Sequence, residues 1–181
     1  NLVNSVKPFG NDTTYIVKII GDTAFQNCTN ILTIIVPDSV EAIATKNGTD
    51  YAPFKGCSSL RYVVLPKGLK FLGSNAFVGL SNLEFYTTAT EKNDDWVMPT
   101  SYSQITVPTG TKDKFEGYKA NAVGDEGSIY YADGVWYRVY NAKDSKVAAI
   151  NPIDRSSTTL TIDEHAFGST FTVDKIAESA F

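Results

Sequence analysis

The chain has one histidine, His165, in the stretch "IDEHAF", with Asp163 and Glu164 beside it. An imidazole flanked by carboxylates is raw material for a hydrolytic triad or a metal site. A triad of the hydrolase kind also needs a nucleophile on a sharp elbow, and no G-x-S-x-G is present. A structural zinc site takes about four Cys or His ligands, and here only Cys28 and Cys57 join His165. His165 is therefore read as a surface histidine. The carboxylates Asp94, Asp95, Asp125 and Glu126 are the next candidates. A glycosidase pair faces across a cleft at roughly 5–10 Å, and a calcium loop of the EF-hand kind has a fixed ligand spacing that is absent. They are read as solvated loop residues. The triplets at Asn11, Asn27 and Asn47 match the N-x-T acceptor for glycosylation; they are read as chance occurrences. No catalytic constellation, cofactor site or metal site emerges, and the expectation is a protein that is not an enzyme.

Composition narrows the partner class. In 181 residues, 43% are hydrophobic and 20% charged, which is the balance of a folded globular chain. The net charge is −4, and no Lys/Arg cluster offers the basic face that nucleic acid requires. Apolar runs are only a few residues long, too short to span a membrane. The chain starts at "NLVNSV" and stops at "IAESAF", and both ends read as cuts through something longer.

The elements that position these residues come from a repeated sentence. "AFQNCTNILTIIVP" (24–37) recurs as "PFKGCSSLRYVVLP" (53–66) and as "AFVGLSNLEFYTTA" (76–89). Phe25, Phe54 and Phe77 open the copies, and Cys28, Cys57 and Leu80 share one slot. Because Leu80 serves as well as cysteine there, the two thiols are read as small buried hydrophobes and not as a redox pair. The polar loop "TKNGTD" (45–50) accounts for the longer first interval, and "QITVP" (104–108) is a fourth strand-like piece. One short strand per period of 20–30 residues is the mark of stacked coils, each completing its neighbour's core. The expected ladders are Ile31, Leu60 and Leu83; Ile34, Val63 and Tyr86; Val36 with Leu65; Val40 with Leu69; and Phe25, Phe54 and Phe77. Proline after each strand lacks an N–H and starts the turn, with Ala89 expected in that slot of the third copy.

The openings "IGDTAF", "LGSNAF" and "IAESAF" with the downstream C-x-x-L-x-x-I-x-L-P-x-x-V pattern resemble the BspA-like leucine-rich repeats. The likeness covers residues 20–89, weakens over 90–106 and resumes at Ile176. It implies an α/β-type, β-rich repeat solenoid, a leucine-rich-repeat right-handed superhelix with a capping helix. It also implies a secreted or surface-attached bacterial protein, some relatives acting as adhesins for matrix proteins or other bacteria.

After the repeats the period changes. Phe115, Tyr118 and Ala122 fall at i, i+3 and i+7, which predicts a capping helix over 111–123. Asp133-Gly134 between "IYYA" and "VWYRVY" predicts a two-residue hairpin, and "NAKDS" a second turn. "FTVDKIAESAF" (171–181) aligns without a gap to "YIVKIIGDTAF" (15–25). The expected division is a repeat unit over 1–124 and an antiparallel β segment over 125–181 leading into a further repeat.

Strand alternation places Thr33, Tyr62, Phe85 and Gln104 in one outward column, and Ile35 with Val64 in the next. Such a patch on an open sheet face is a candidate ligand-binding surface. The alternative is that the Tyr/Trp-rich strands after residue 124 cover it. The expected function is non-enzymatic binding of a protein ligand, a host extracellular-matrix protein or another cell's surface, by a monomer at the cell surface or outside the cell. Two rivals are a structural spacer and a glycan binder of a carbohydrate-utilisation system using Trp96 and Trp136 as stacking platforms.

Overall fold

The computed structural model describes residues 2–3, 5–7, 13–44, 52–132, 134–152, 162, 165–166 and 170–178. The loop 45–50, Asp133, Asp163, Glu164, and the Asn11 and Asn47 acceptors lie outside them. β1 (Ser5–Val6) and β2 (Tyr15–Ile16) form a small antiparallel pair. The repeats then feed two parallel sheets in alternation. β3 (Ile19–Ile20), β5 (Ala42–Ile43) and β7 (Phe71–Leu72) make a three-stranded sheet. β4 (Thr33–Ile35), β6 (Tyr62–Leu65), β8 (Glu84–Thr87), β9 (Gln104–Val107) and β10 (Ala120–Ala122) make a five-stranded one in chain order.

The main core uses inward residues of both sheets: Ile43 and Leu72 from one, Val63, Phe85 and Ile105 from the other, all with no exposed surface. The phenylalanine ladder closes one wall. Phe25 stacks on Phe54 at 5.5 Å and Phe54 on Phe77 at 5.0 Å, both 11° from parallel. The loops carrying those rings bond to one another, Phe25 N–H donating to Pro53 O (2.9 Å) and Asn27 N–H to Lys55 O (2.8 Å). Two residues after each Phe the backbone turns left-handed, at Asn27 (φ 61°), Gly56 (φ 78°) and Gly79 (φ 76°). At Gly56 a side chain would also have its Cβ 2.2 Å from Asn27 Oδ1, so both the turn and the stacking favour glycine there.

Two expectations are corrected. First, the third copy enters its strand one residue sooner than the other two: Glu84 directly follows Leu83, whereas Leu32 stands between Ile31 and Thr33 and Arg61 between Leu60 and Tyr62. Tyr62 therefore pairs with Glu84 and Val63 with Phe85, so the ladder is Ile34, Val63 and Phe85, with Tyr86 on the other face. Thr88, not Ala89, follows β8 where Pro66 follows β6. Second, the segment 111–123 is not a helix. A single 3-10 turn, Lys112–Phe115, ends where Glu116 adopts φ −51°, ψ 138° and Gly117 φ 84°. The chain then runs as β10, parallel to β9. The periodic residues still anchor it: Phe115 is buried against Trp96, and Tyr118 Oη donates to Trp96 O (2.6 Å). This turn is the only helical element among the described residues.

Beyond residue 124, β11 (Ile129–Ala132), β12 (Val135–Asn141) and β13 (Lys146–Pro152) form the expected antiparallel meander, with Ala132 opposite Val135 across a turn holding Gly134 at φ 83°. β15 (Phe171–Ile176) joins β13 in parallel, and β14 (His165–Ala166) pairs β15 antiparallel, so the five-stranded sheet is mixed. Within the segment resembling residues 15–25, Phe171–Ile176 is one continuous strand, whereas Tyr15–Ile16 and Ile19–Ile20 belong to separate sheets.

Candidate interaction surfaces

The face expected to bind a ligand is occupied from within the chain. Phe85 points into the repeat core and is fully buried, because the third copy enters β8 one residue sooner and turns it over. Tyr62 and Val64 do lie on the outward face, but they pack with Tyr86 against the second sheet. Trp136 of β12 stacks on Tyr62 at 5.1 Å and meets Tyr86 edge-on at 6.4 Å. Thr33 and Ile35, on the edge strand β4, remain half-buried.

In place of the expected aromatic, Glu84 occupies the outward column and anchors a buried polar network. Arg138 Nη2 donates to both of its carboxylate oxygens at 2.8 Å, and Gln104 Nε2 donates to Glu84 Oε2 at 2.8 Å. Arg61 approaches at 3.4 Å. Gln104 is also satisfied by Gly127 O (2.9 Å) and by Asn121 Nδ2 (2.6 Å), and Ile129 N–H donates to Thr106 Oγ1 (3.0 Å). Glu84 is 3% exposed, and these donors stand where water would otherwise solvate its carboxylate. Residue spacing gave no sign of Glu84 or Arg138, 54 positions apart. Gln104 was legible as an outward residue, and its role is to cross-link the two sheets.

The other candidates disperse. Trp96 and Trp136 are buried, Trp96 Nε1 donating to Leu69 O (2.8 Å), so neither offers a face to a sugar ring. Trp136 Nε1 is buried without a hydrogen-bond partner among the described residues. Both cysteines are free thiols; Cys57 Sγ donates to Phe25 O at 3.0 Å, and burial pushes its pKa up. Asp94 and Asp95 are exposed, while Asp125 accepts from Ala122 N–H (3.0 Å) and Lys112 Nζ (3.1 Å), the backbone bond first among the causes that lower its pKa. The His165 backbone lies in β14, opposite Thr172. Among the described residues no cluster of His, Cys, Asp and Glu is arranged to hold a metal. Asn27 is exposed on its left-handed turn.

A different face is open. On the three-stranded sheet the register sets Ile19, Ala42 and Phe71 side by side, pointing away from the core residues Ile20, Ile43 and Leu72. Ile19 is 53% exposed and Val97, which follows the Leu72–Trp96 bridge, 40%. The stripe is bordered by a row of charges. Glu41 accepts from Lys18 Nζ at 2.6 Å and Lys70 Nζ at 2.7 Å. The hydrogen bond from Lys18, then that from Lys70, holds the Glu41 pKa down to about 2, so the row stays charged through mildly acidic pH.

Comparison with protein families places these features in context. A model of the BspA type leucine rich repeat region matches residues 12–112 in six copies, where the sequence pattern distinguishes three and a partial fourth. No curated protein and no solved structure matches the chain. That family suggests a protein-binding, surface-type role and is generally non-enzymatic. No helix of the described residues is long and apolar enough to cross a membrane. The matched span covers more than half of the chain and supplies every strand of the two parallel sheets except β10: the chain belongs to the BspA-type leucine-rich repeat family.

Proposed function

We propose that this chain is a non-enzymatic adhesin-like module of a secreted or cell-surface protein, which holds a protein ligand, a host matrix protein or a surface protein of another cell. In this reading residues 1–124 stack as a short right-handed solenoid. Residues 125–181 form a second unit that rigidifies it by covering its aromatic face. The ligand meets the open face of the three-stranded sheet. The observation that supports this is the apolar stripe Ile19, Ala42 and Phe71, with Asp95 beside Phe71 and Val97 diagonal to it, in which Ile19 and Val97 are exposed while the five-stranded repeat sheet has its aromatic face covered by Trp136. Apolar stripes with a polar rim suit protein partners. The exposed Lys18 and Lys70 beside the stripe favour a partner with carboxylates at its margin.

The test is a binding screen of the chain against immobilised fibronectin, laminin and collagen, beside the variants Ile19→Asp and Val97→Asp. Both positions are exposed, so the variants should melt with the parent. A charge set at either end of the stripe is expected to weaken binding at least about tenfold. Binding that ignores both substitutions would remove this face from the account, and binding to none of the proteins would favour the spacer.

A further inference from the structure

A cleft of about 570 Å³ opens where three neighbouring strands of the repeat sheet end and the second sheet leans over them. Thr88 follows β8, Thr109 follows β9, and Val123 follows β10. The opposite wall is the β12–β13 turn with Ser145 and the entry to β15 with Thr170 and Phe171. None of these residues belongs to the open three-stranded face.

The lining has a definite chemistry. The half-buried Pro108, Val123 and Ala142 supply most of the apolar floor, with Tyr86 and Phe171, both 5% exposed, behind them, and Thr88, Ser145 and Thr170 bring hydroxyl side chains to the lining. Thr109 Oγ1 already donates to Val123 O at 2.8 Å. No charged side chain lines the cleft among the described residues. An ionic ligand would give up hydration here with no counter-charge in return. A pure hydrocarbon would cover rim hydroxyls and leave them unpaired. A neutral sugar has an apolar C–H face for the floor and hydroxyls for the rim. The volume falls in the range of sites for small molecules, which often form where two units meet.

We infer that this cleft is a binding site for a neutral saccharide of the size of a mono- or disaccharide. It is separate from the protein-binding stripe and is built by the repeats and the second sheet together.

The experiment is an amide chemical-shift titration of the whole chain with maltose, cellobiose and lactose, with glucuronate as the charged probe and indole as the apolar one. At least one neutral disaccharide is expected to shift the amides of Thr88, Gly124, Ser145 and Thr170 together. The double variant Thr88→Val/Thr170→Val, which alters only exposed rim residues, is expected to bind about tenfold more weakly. Thr88→Arg, adding bulk and charge at the rim, is expected to abolish the response. The inference is overturned if no neutral disaccharide moves those amides, if glucuronate or indole moves them more, or if the variants bind like the parent.

Discussion

Phe54→Ala is expected to lower stability by about 3–5 kcal/mol, the cost typical of removing a fully buried phenylalanine. The ring is 0% exposed and sandwiched between Phe25 and Phe77 at 5.5 and 5.0 Å, so its loss strips a packing partner from two coils at once. Against a total stability of about 5–15 kcal/mol for a domain, that is a large share. Phe25→Ala should cost clearly less. Phe25 ends the ladder, is only half-buried, and leaves its outer side against the apolar groove formed by Leu2, Val17 and Ile19. Urea unfolding of the two variants checks the order. Equal losses would mean that the coils are not coupled through the ladder.

Arg138→Ala is expected to be costly through what it leaves behind. Glu84 would keep a buried carboxylate with only Gln104 and the more distant Arg61 to support it. Breaking a buried pair costs about 3–5 kcal/mol. Because the Arg138 side chain is 33% exposed, about 2–3 kcal/mol is the better expectation after allowing for solvent screening. That corresponds to a fall in Tm of roughly 5–10 °C. The pair Arg138→Met/Glu84→Gln should melt closer to the parent than Arg138→Ala alone. Glutamine leaves no buried charge and still accepts from Gln104, while methionine restores the lost volume. A double variant less stable than the single one would show that the ion pair itself, and not the stranded carboxylate, sets the cost.

Much of this architecture is written in short-range pattern. The recurring Phe and Cys/Leu slots announce the copies, and the constant step from each Phe to its Cys or Leu fixes the phenylalanine ladder, because matching loops stack in matching places. The Asp133-Gly134 pair announces the β11–β12 hairpin, for which a two-residue turn leaves little freedom. What pattern could not carry was set by single residues and by distance in sequence. The third copy has no counterpart of Leu32 and Arg61 before its strand, and since side chains alternate along a strand, that one missing residue inverted the assignment of Phe85 and Tyr86. Phe115 and Tyr118 have helical spacing, but Gly117 at φ 84° and pairing to β9 hold the following residues as a strand. The cover over Tyr62 and Val64 depends on Trp136 and Arg138, which no local rule links to β6 or β8. That is why the candidate binding face moved from one sheet of the repeats to the other.

Which sheet face is free to meet a partner is decided most directly by fluorescence of a Trp96→Phe variant, in which Trp136 is the only tryptophan left. With the aromatic face closed, its emission should be blue-shifted and almost indifferent to iodide, as befits an indole with no exposed surface. Red-shifted emission quenched by iodide like a free indole would mean that the second sheet does not cover Tyr62 and Tyr86, and would return the aromatic face of the five-stranded sheet to the candidates for binding.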